Sequence, residues 1–328
     1  MTPKVSIIMS VKENEPFLED SIKSILAQTY RNFEFIIVND GGGPAVDSVV
    51  NSTCDRRISL ISRSRKGLTR SLNEAIENSS GEYIARIDAG DYSLPRRIEL
   101  QAELMEDNSK IGLAGTSYSE ITSTGRKITE TILPADPVQL KKSLLYQNQF
   151  CHGSVMFRRK SIDDVGWYRP EFVKAQDYDL WLRIAGRYEI TNIQEILYIR
   201  RIDINSISIA LRQEQNYYAE IARKCSIARN QGEKEPLQLL QQRKNAAGVS
   251  ERNLDREKAF YYNFHLGRIL FFERKLKLAR KHFIKSFRFK PYKLFAAGFI
   301  IASFLPASLI DKIDPLWQVI KRKCKLRI

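Results

Sequence analysis

Two carboxylates, Asp88 and Asp91, end an apolar run in "GEYIARIDAGDYSLPRR" (Gly81 to Arg97), with Gly90 between them. Acids at a strand end can hold a cation, cap a helix or face water. Asp40 closes a second apolar run, "FEFIIVND", and Ser10 a third, "KVSIIMS". Further along, "KAQDYDLWLRI" places Gln176, Asp177 and Asp179 at the start of a helical pattern. Carboxylates bind hard cations such as Mg²⁺ or Mn²⁺ beside phosphate groups, and they accept protons from attacking hydroxyls. Both kinds of chemistry require the acids to meet in space.

The elements around them alternate. Apolar β-branched runs at 4–10, 33–40, 57–62 and 82–88 read as strands, and Leu18, Ile22, Ile25 and Leu26 fall at helical spacing within 17–28, with a further helix over 68–78. Such alternation predicts a mainly parallel sheet with helices on both faces, and ligands in sheets of this kind bind beyond the carboxyl ends of the strands. Ser10, Asp40 and Asp88 stand at those ends. Gly41, Gly42 and Gly43 follow the second strand without GxGxxG spacing, so they read as a turn, and no Walker-type loop is present. Strands are expected within 111–121 and 151–159 and a helix over 176–188. Beyond about Ile209 only helical patterns remain, giving a domain boundary at 208/209.

The 328 residues, 43% hydrophobic, are enough to bury a full core. Cys54, Cys151, Cys225 and Cys324 lie far apart with no CxxC pair, which argues against a zinc site or a disulfide framework and for a reducing compartment. The first ten residues lack the pattern of an export signal, so a cytoplasmic location is expected.

Charge is distributed unevenly. Of the formal net charge of +15, residues 251–328 carry +13, from 19 Lys and Arg against 6 Asp and Glu. This is not the pattern of a uniformly basic nucleic-acid binder. The basic residues flank the uncharged stretch "LFAAGFIIASFLPASLI" (Leu294 to Ile310), so an anionic membrane surface is the expected partner. At about 1.5 Å per residue this stretch falls short of a bilayer core of roughly 30 Å, and Pro306 interrupts it. An in-plane or shallow anchor on the inner face of the cell membrane is expected; the alternative is a helical hairpin that closes the core.

"VSIIMS", "SILAQTYRNFEFIIVNDG", "KGLTRSLNEAI", "GEYIARIDAGDYSLPRRIELQ", "HGSVMFRR" and "AQDYDLWLRI" resemble, in order and spacing, the segments of family 2 glycosyltransferases with the GT-A fold. The resemblance covers roughly residues 4–208. It implies an α/β fold with a Rossmann-like, mainly parallel sheet, followed here by an all-helical C-terminal region. The expected domains are a GT-A domain at 1–208, a helical extension at 209–293 and an apolar, basic tail at 294–328. Within the extension, Leu266, Gly267, Ala279, Phe283 and Pro291 resemble one tetratricopeptide-like helix pair.

Site roles follow from the same resemblance. Ser10 and Asp40 would line the nucleotide pocket, with Asp40 accepting from the base; the alternative for Asp40 is an Asx turn. Asp88 and Asp91 would bind a divalent metal, Mg²⁺ or Mn²⁺, and the sugar nucleotide. Gly90 stands where relatives often carry a further Asp. Asp177 matches the base that deprotonates the acceptor hydroxyl, with Asp179 as the nearest substitute and an N-cap as the alternative role. Gln176 replaces a usual Glu, which puts an acceptor contact in doubt. His152 and Trp181 are further acceptor-side candidates, although the spacing of Trp181 with Leu180 and Ile184 also fits core packing. Arg200 or Arg201, with Arg201 preferred, and Lys66 would meet the diphosphate; Asp203 replaces a histidine common in relatives.

The implied activity is inverting sugar transfer from a nucleoside-diphosphate sugar, with UDP favoured, to a glycan or lipid-linked acceptor in surface polysaccharide synthesis. Two alternatives remain. One is a membrane-docked adaptor with impaired catalysis, given room by Gly90 and Gln176. The other is a nucleotidyltransferase, which would want an arginine-bearing glycine loop that "MSVKENEP" does not supply.

Overall fold

The structure, a computed structural model, describes residues 5–13, 15–202, 209–242, 256–291, 294–305 and Leu309. Strand and helix alternate from the start: β1 (Val5–Val11), α1 (Leu18–Leu26), β2 (Phe33–Asp40), α2 (Pro44–Asn51), β3 (Ile58–Arg63), α3 (Leu68–Glu77) and β4 (Tyr83–Arg86). Then come β5 (Tyr92–Ser93), α4 (Arg97–Asp107), β6 (Ile111–Thr122), β7 (Lys127–Thr131) and α5 (Pro137–Leu144). A 3-10 turn at His152–Ser154 leads into β8 (Met156–Arg158), α6 (Arg159–Val165), α7 (Gln176–Ala185) and β9 (Glu189–Ile202). The remaining described elements are helices: α8 (Ile209–Asn230), α9 (Gln238–Gln242), α10 (Arg256–Phe272), α11 (Leu276–Phe289) and α12 (Leu294–Ala302).

Among the described residues the strands form one sheet in the order β3-β2-β1-β4-β8-β6-β9-β5, with β7 beside β6. The first half matches the sequence expectation. β1 pairs in parallel with both β2 and β4, and β2 with β3. Past β4 the sheet turns antiparallel, at β4–β8, β6–β8 and β5–β9. β2 is buried along nearly its whole length, as a parallel strand covered on both faces must be. One apolar layer joins Ile7, Ile37 and Ile22 of α1 on one face, and another joins Ile8, Val38 and Leu72 of α3 on the other.

Packing divides the chain into two compact units, and neither follows the boundaries expected from composition. The first comprises 1–119, 130–200 and 212–247, the second 120–129, 201–211 and 248–328. α8 belongs mainly to the first unit because Tyr218, Ile221, Ala222 and Cys225 pack into the core that holds Trp181 and Phe172. In the second unit, Phe264 and Phe271 of α10, Phe283 of α11 and Phe299 of α12 form one aromatic cluster. Gly267 permits the close crossing of α10 and α11, since a Cβ there would stand 2.7 Å from the Phe283 ring. α12 buries Ala296, Phe299 and Ala302, yet Ile301 is 67% and Phe304 64% exposed. No helix among the described residues is long and apolar enough to cross a membrane. Pro306 and the basic tail from residue 310 onward lie outside the described residues.

Candidate functional site

The carboxyl ends of β2, β1 and β4 lie side by side, which aligns Asp40, Ser10 and the segment entering Asp88 along one edge of the first unit. Asp40 is 1% exposed and is held by its own chain. Its Oδ1 accepts from Arg63 Nη1 and the Lys66 N–H, both at 2.7 Å, and its Oδ2 accepts from the Gly67 N–H at 2.8 Å. Three lone-pair directions are therefore taken, leaving at most one on Oδ2 for a base. Asp40 orders the 63–67 loop that leads into α3. Lys66 contributes its backbone to that arrangement and keeps its side chain exposed; Ser10 is partly exposed at the end of β1.

Asp88 is different. Its side chain is 44% exposed, and it is gripped from below by Arg86, which is 1% exposed. Arg86 Nη2 donates to Oδ1 at 2.6 Å and Nη1 to Oδ2 at 2.9 Å, a bidentate fork. Burial alone would raise the Asp88 carboxyl, but the Arg86 charge outweighs it and holds the group below the usual range. Arg200 acts in the same direction.

The turn from Asp88 to Asp91 explains Gly90. The Asp91 N–H donates to the Asp88 carbonyl, and Gly90 sits at φ +93°, where side chains are strained. A Cβ on Gly90 would also stand 3.0 Å from Glu15 Oε1. Asp91, expected as a second metal ligand, has a different position: it is buried, and its Oδ2 accepts from the Tyr198 hydroxyl at 2.7 Å. Tyr198 Oη in turn accepts from the Asp88 N–H at 3.1 Å. Asp91 thus ties the turn to β9. Gly153 lies against the same hydroxyl; a Cβ there would overlap Tyr198 and stand 3.1 Å from Asp88 Oδ2.

Asp177 opens α7. The N-cap position is Ala175, held at φ 52°, and it caps nothing with its side chain. Asp177 Oδ2 accepts from Asn148 Nδ2 at 3.0 Å. Burial pushes the Asp177 carboxyl up, and the Tyr178 N–H, the Arg86 charge and Asn148 only partly oppose it. A raised carboxylate pKa is the direction a general base needs. Asp179, two residues on, is fixed by Arg183, which donates from Nε at 2.9 Å, and by Arg169 at 3.6 Å. Being fully enclosed, it is no substitute base. Gln176 is buried at the helix start.

His152 Nε2 meets Tyr168 Oη at 3.1 Å, and burial, reinforced by Arg86, keeps the imidazole well below its ordinary pKa and therefore neutral. Trp181 is 0% exposed, packed among Phe150, His152, Phe157 and Tyr168. It has no open face for a sugar, so the stacking expectation gives way to core packing. Between the two arginines of β9, the charge acting on Asp88 is that of Arg200. Arg201 belongs to the second unit, where its Nη1 donates to the Ser123 carbonyl at 3.4 Å. Asp203 lies outside the described residues.

Three contributors were absent from the sequence reading. Arg86 is the central one, and a charged residue inside a buried strand was its available signal. Arg97, fully buried, donates from Nη1 to the carbonyls of Arg86 and Gly153 at 2.8 and 2.9 Å, fixing the floor of the site. Asn148 gave no signal, being one polar residue in a polar loop. As for a metal, no three His, Cys, Asp or Glu side chains among the described residues form a cage. The half-exposed Asp88 still fits a cation held on its other side by phosphate oxygens, because Arg86 takes only one lone pair from each of its oxygens.

Known proteins resemble this chain in sequence and in fold. Residues 6–167 match the family described as Glycosyl transferase family 2. The O-antigen biosynthesis glycosyltransferase WbnJ of Escherichia coli is 34% identical over 193 residues, covering 58% of this chain and 74% of WbnJ. Among solved structures, S. aureus TarS 1-349 in complex with UDP superposes with a TM-score of 0.56 at 15% identity, over 92% of this chain and 89% of that one. The mannosyltransferase PcManGT of Pyrobaculum calidifontis, in complex with GDP-Man and Mn2+, gives a TM-score of 0.55 at 15% identity, over 92% and 86%. The two structures bear on the fold, which is GT-A-like. The chain belongs to glycosyl transferase family 2, and it is a glycosyltransferase.

Proposed function

We propose that this enzyme moves a sugar, with inversion, from a nucleoside-diphosphate sugar to a hydroxyl of a glycan or lipid-linked acceptor at the inner face of the cell membrane. The observation that carries the reading is the buried Arg86, whose fork grips the half-exposed Asp88 and whose charge also reaches Asp177. One buried cation thus links an acid suited to the donor with an acid suited to the acceptor. Asp177 takes the proton of the acceptor hydroxyl as its oxygen bonds to the anomeric carbon and the bond to the diphosphate breaks. Asp88 faces the leaving diphosphate, and Arg200 adds positive charge on that side. A divalent cation bound at Asp88 would neutralise charge developing on the departing phosphates. Ser10, Lys66 and the loop ordered by Asp40 form the nucleotide side; Gln176 and His152 border the acceptor side.

UDP in TarS and GDP-Man with Mn2+ in PcManGT support a nucleotide-sugar donor and a divalent metal. WbnJ supports an acceptor in surface polysaccharide synthesis. Ile301 and Phe304, exposed on an uncharged stretch flanked by Lys and Arg, support contact with anionic lipid.

A panel of UDP-, GDP- and dTDP-sugars with Mn²⁺ tests the reaction. Free nucleotide should be released from one donor class, and NMR of the product should show an inverted anomeric configuration. No release from any donor would favour the adaptor alternative, and retained configuration would refute Asp177 as base.

A further inference from the structure

Arg86 occupies a position with more consequence than a structural ion pair. It lies on β4, which is hydrogen-bonded to β1 on one side and β8 on the other, so its backbone has little freedom. Its carbonyl is pinned by Arg97, its N–H donates to the Val155 carbonyl at 2.9 Å, and its guanidinium is buried. From this fixed base it grips both oxygens of Asp88. The other carboxylate of the turn, Asp91, is buried against Tyr198. The exposed face of the turn therefore presents a carboxylate whose charge is already matched by a cation beneath it.

We propose that Arg86 makes divalent-cation binding at Asp88 conditional on the donor diphosphate. A free cation approaching Asp88 meets an acid and a guanidinium whose charges cancel, so the attraction is weak. The negative charge of a bound diphosphate restores it, and the unused lone pairs of Asp88 complete the coordination. By thermodynamic reciprocity, the cation strengthens nucleotide binding by the same factor as nucleotide strengthens cation binding. Arg86 is a positioning residue in this scheme, acting through Asp88 without touching the substrate. The inference rests on the metal role assigned above to Asp88.

The test measures Mn²⁺ binding by electron paramagnetic resonance of the free ion, with and without UDP or GDP, whichever the wild type binds. Wild-type protein should bind Mn²⁺ about tenfold or more tightly in the presence of nucleotide. In Arg86→Gln, which removes the charge, Mn²⁺ alone should bind more tightly than in wild type and the nucleotide effect should shrink severalfold. Arg86→Lys, which keeps the charge, should retain most of the effect. Equal Mn²⁺ affinity of the wild type with and without nucleotide overturns the inference, whatever the variants' folding, as does unchanged coupling in a folded Arg86→Gln protein. Asp88→Asn separates the two layers: if it leaves nucleotide-dependent Mn²⁺ binding intact, the metal role of Asp88 fails first and the role of Arg86 falls with it.

Discussion

The two sides of the site treat the same residue type in opposite ways. On the proposed donor side, Asp40 and Asp88 are surrounded by hydrogen-bond donors: Arg63 and two backbone N–H groups for one, the Arg86 fork for the other. On the proposed acceptor side, Asp177 receives one side-chain hydrogen bond, from Asn148, and burial raises its pKa. The Arg86 charge stabilises the Asp88 carboxylate as an anion. Asp177, which takes up a proton in the proposed mechanism, is left with a stronger claim on it. Asp179 sharpens the contrast: two residues from Asp177 on the same helix, it is locked by Arg183 and Arg169 and serves the fold.

The largest disturbance short of removing a catalytic acid should come from Gly153→Ala. The added methyl overlaps the Tyr198 hydroxyl and presses toward Asp88, so the 152–154 turn or β9 must shift. Overpacking of this kind costs roughly 1–3 kcal/mol. Thermal denaturation should show that loss together with weakened nucleotide binding; full stability with normal binding would mean that the turn is looser than described.

A moderate effect is expected at the scaffold under α7. Arg169 joins Asp179 to Glu235, and Glu235 also accepts from Arg229 at 2.8 Å. Burial would raise the Glu235 carboxyl, but the two arginines win and bring it down to about 2. With a folded pKa below the unfolded one, its contribution is fully present above about pH 4.5 and lost as the pH falls toward about 2. Glu235→Gln should therefore cost about 2 kcal/mol at neutral pH, and the difference from wild type should vanish in strong acid. Urea titrations at several pH values read this directly.

Asn148→Ala should have the smallest effect and bears most on the acceptor side. Asn148 lowers the Asp177 pKa against the effect of burial. Without it the acid limb of the kcat profile should move to higher pH, by less than about one unit, while donor KM stays nearly constant. An unmoved limb would detach Asn148 from the base.

Much of this was legible in the chain. The alternating β-branched runs fixed the parallel half of the sheet, and the strand-end positions of Ser10, Asp40 and Asp88 followed from that topology alone. The start of α7 at Gln176 was also readable, from the spacing of Leu180, Trp181 and Ile184. What stayed hidden depends on tertiary contact. Asp88 and Asp91 look equivalent in sequence, yet only the meeting with Tyr198, over a hundred residues away, turns one inward. Gly90 read as a missing acid, whereas its backbone angle is what the turn requires. Strands at β6 and β8 were expected; what escaped was their antiparallel pairing, together with β5, β7 and β9, since a strand such as β5, two residues long, carries too little periodicity. The unit boundary escaped because a composition change marks where strands cease, while packing decides which helices join which core.

The most direct test compares Asp177→Asn and Asp88→Asn in parallel, measuring nucleotide affinity by calorimetry and single-turnover sugar transfer on the same samples. The expected pattern is crossed: Asp177→Asn slows transfer by about a thousandfold with affinity unchanged, whereas Asp88→Asn weakens nucleotide and Mn²⁺ binding. Transfer near the wild-type rate in Asp177→Asn, or a loss of donor affinity there equal to that of Asp88→Asn, would contradict the division of labour between the two acids.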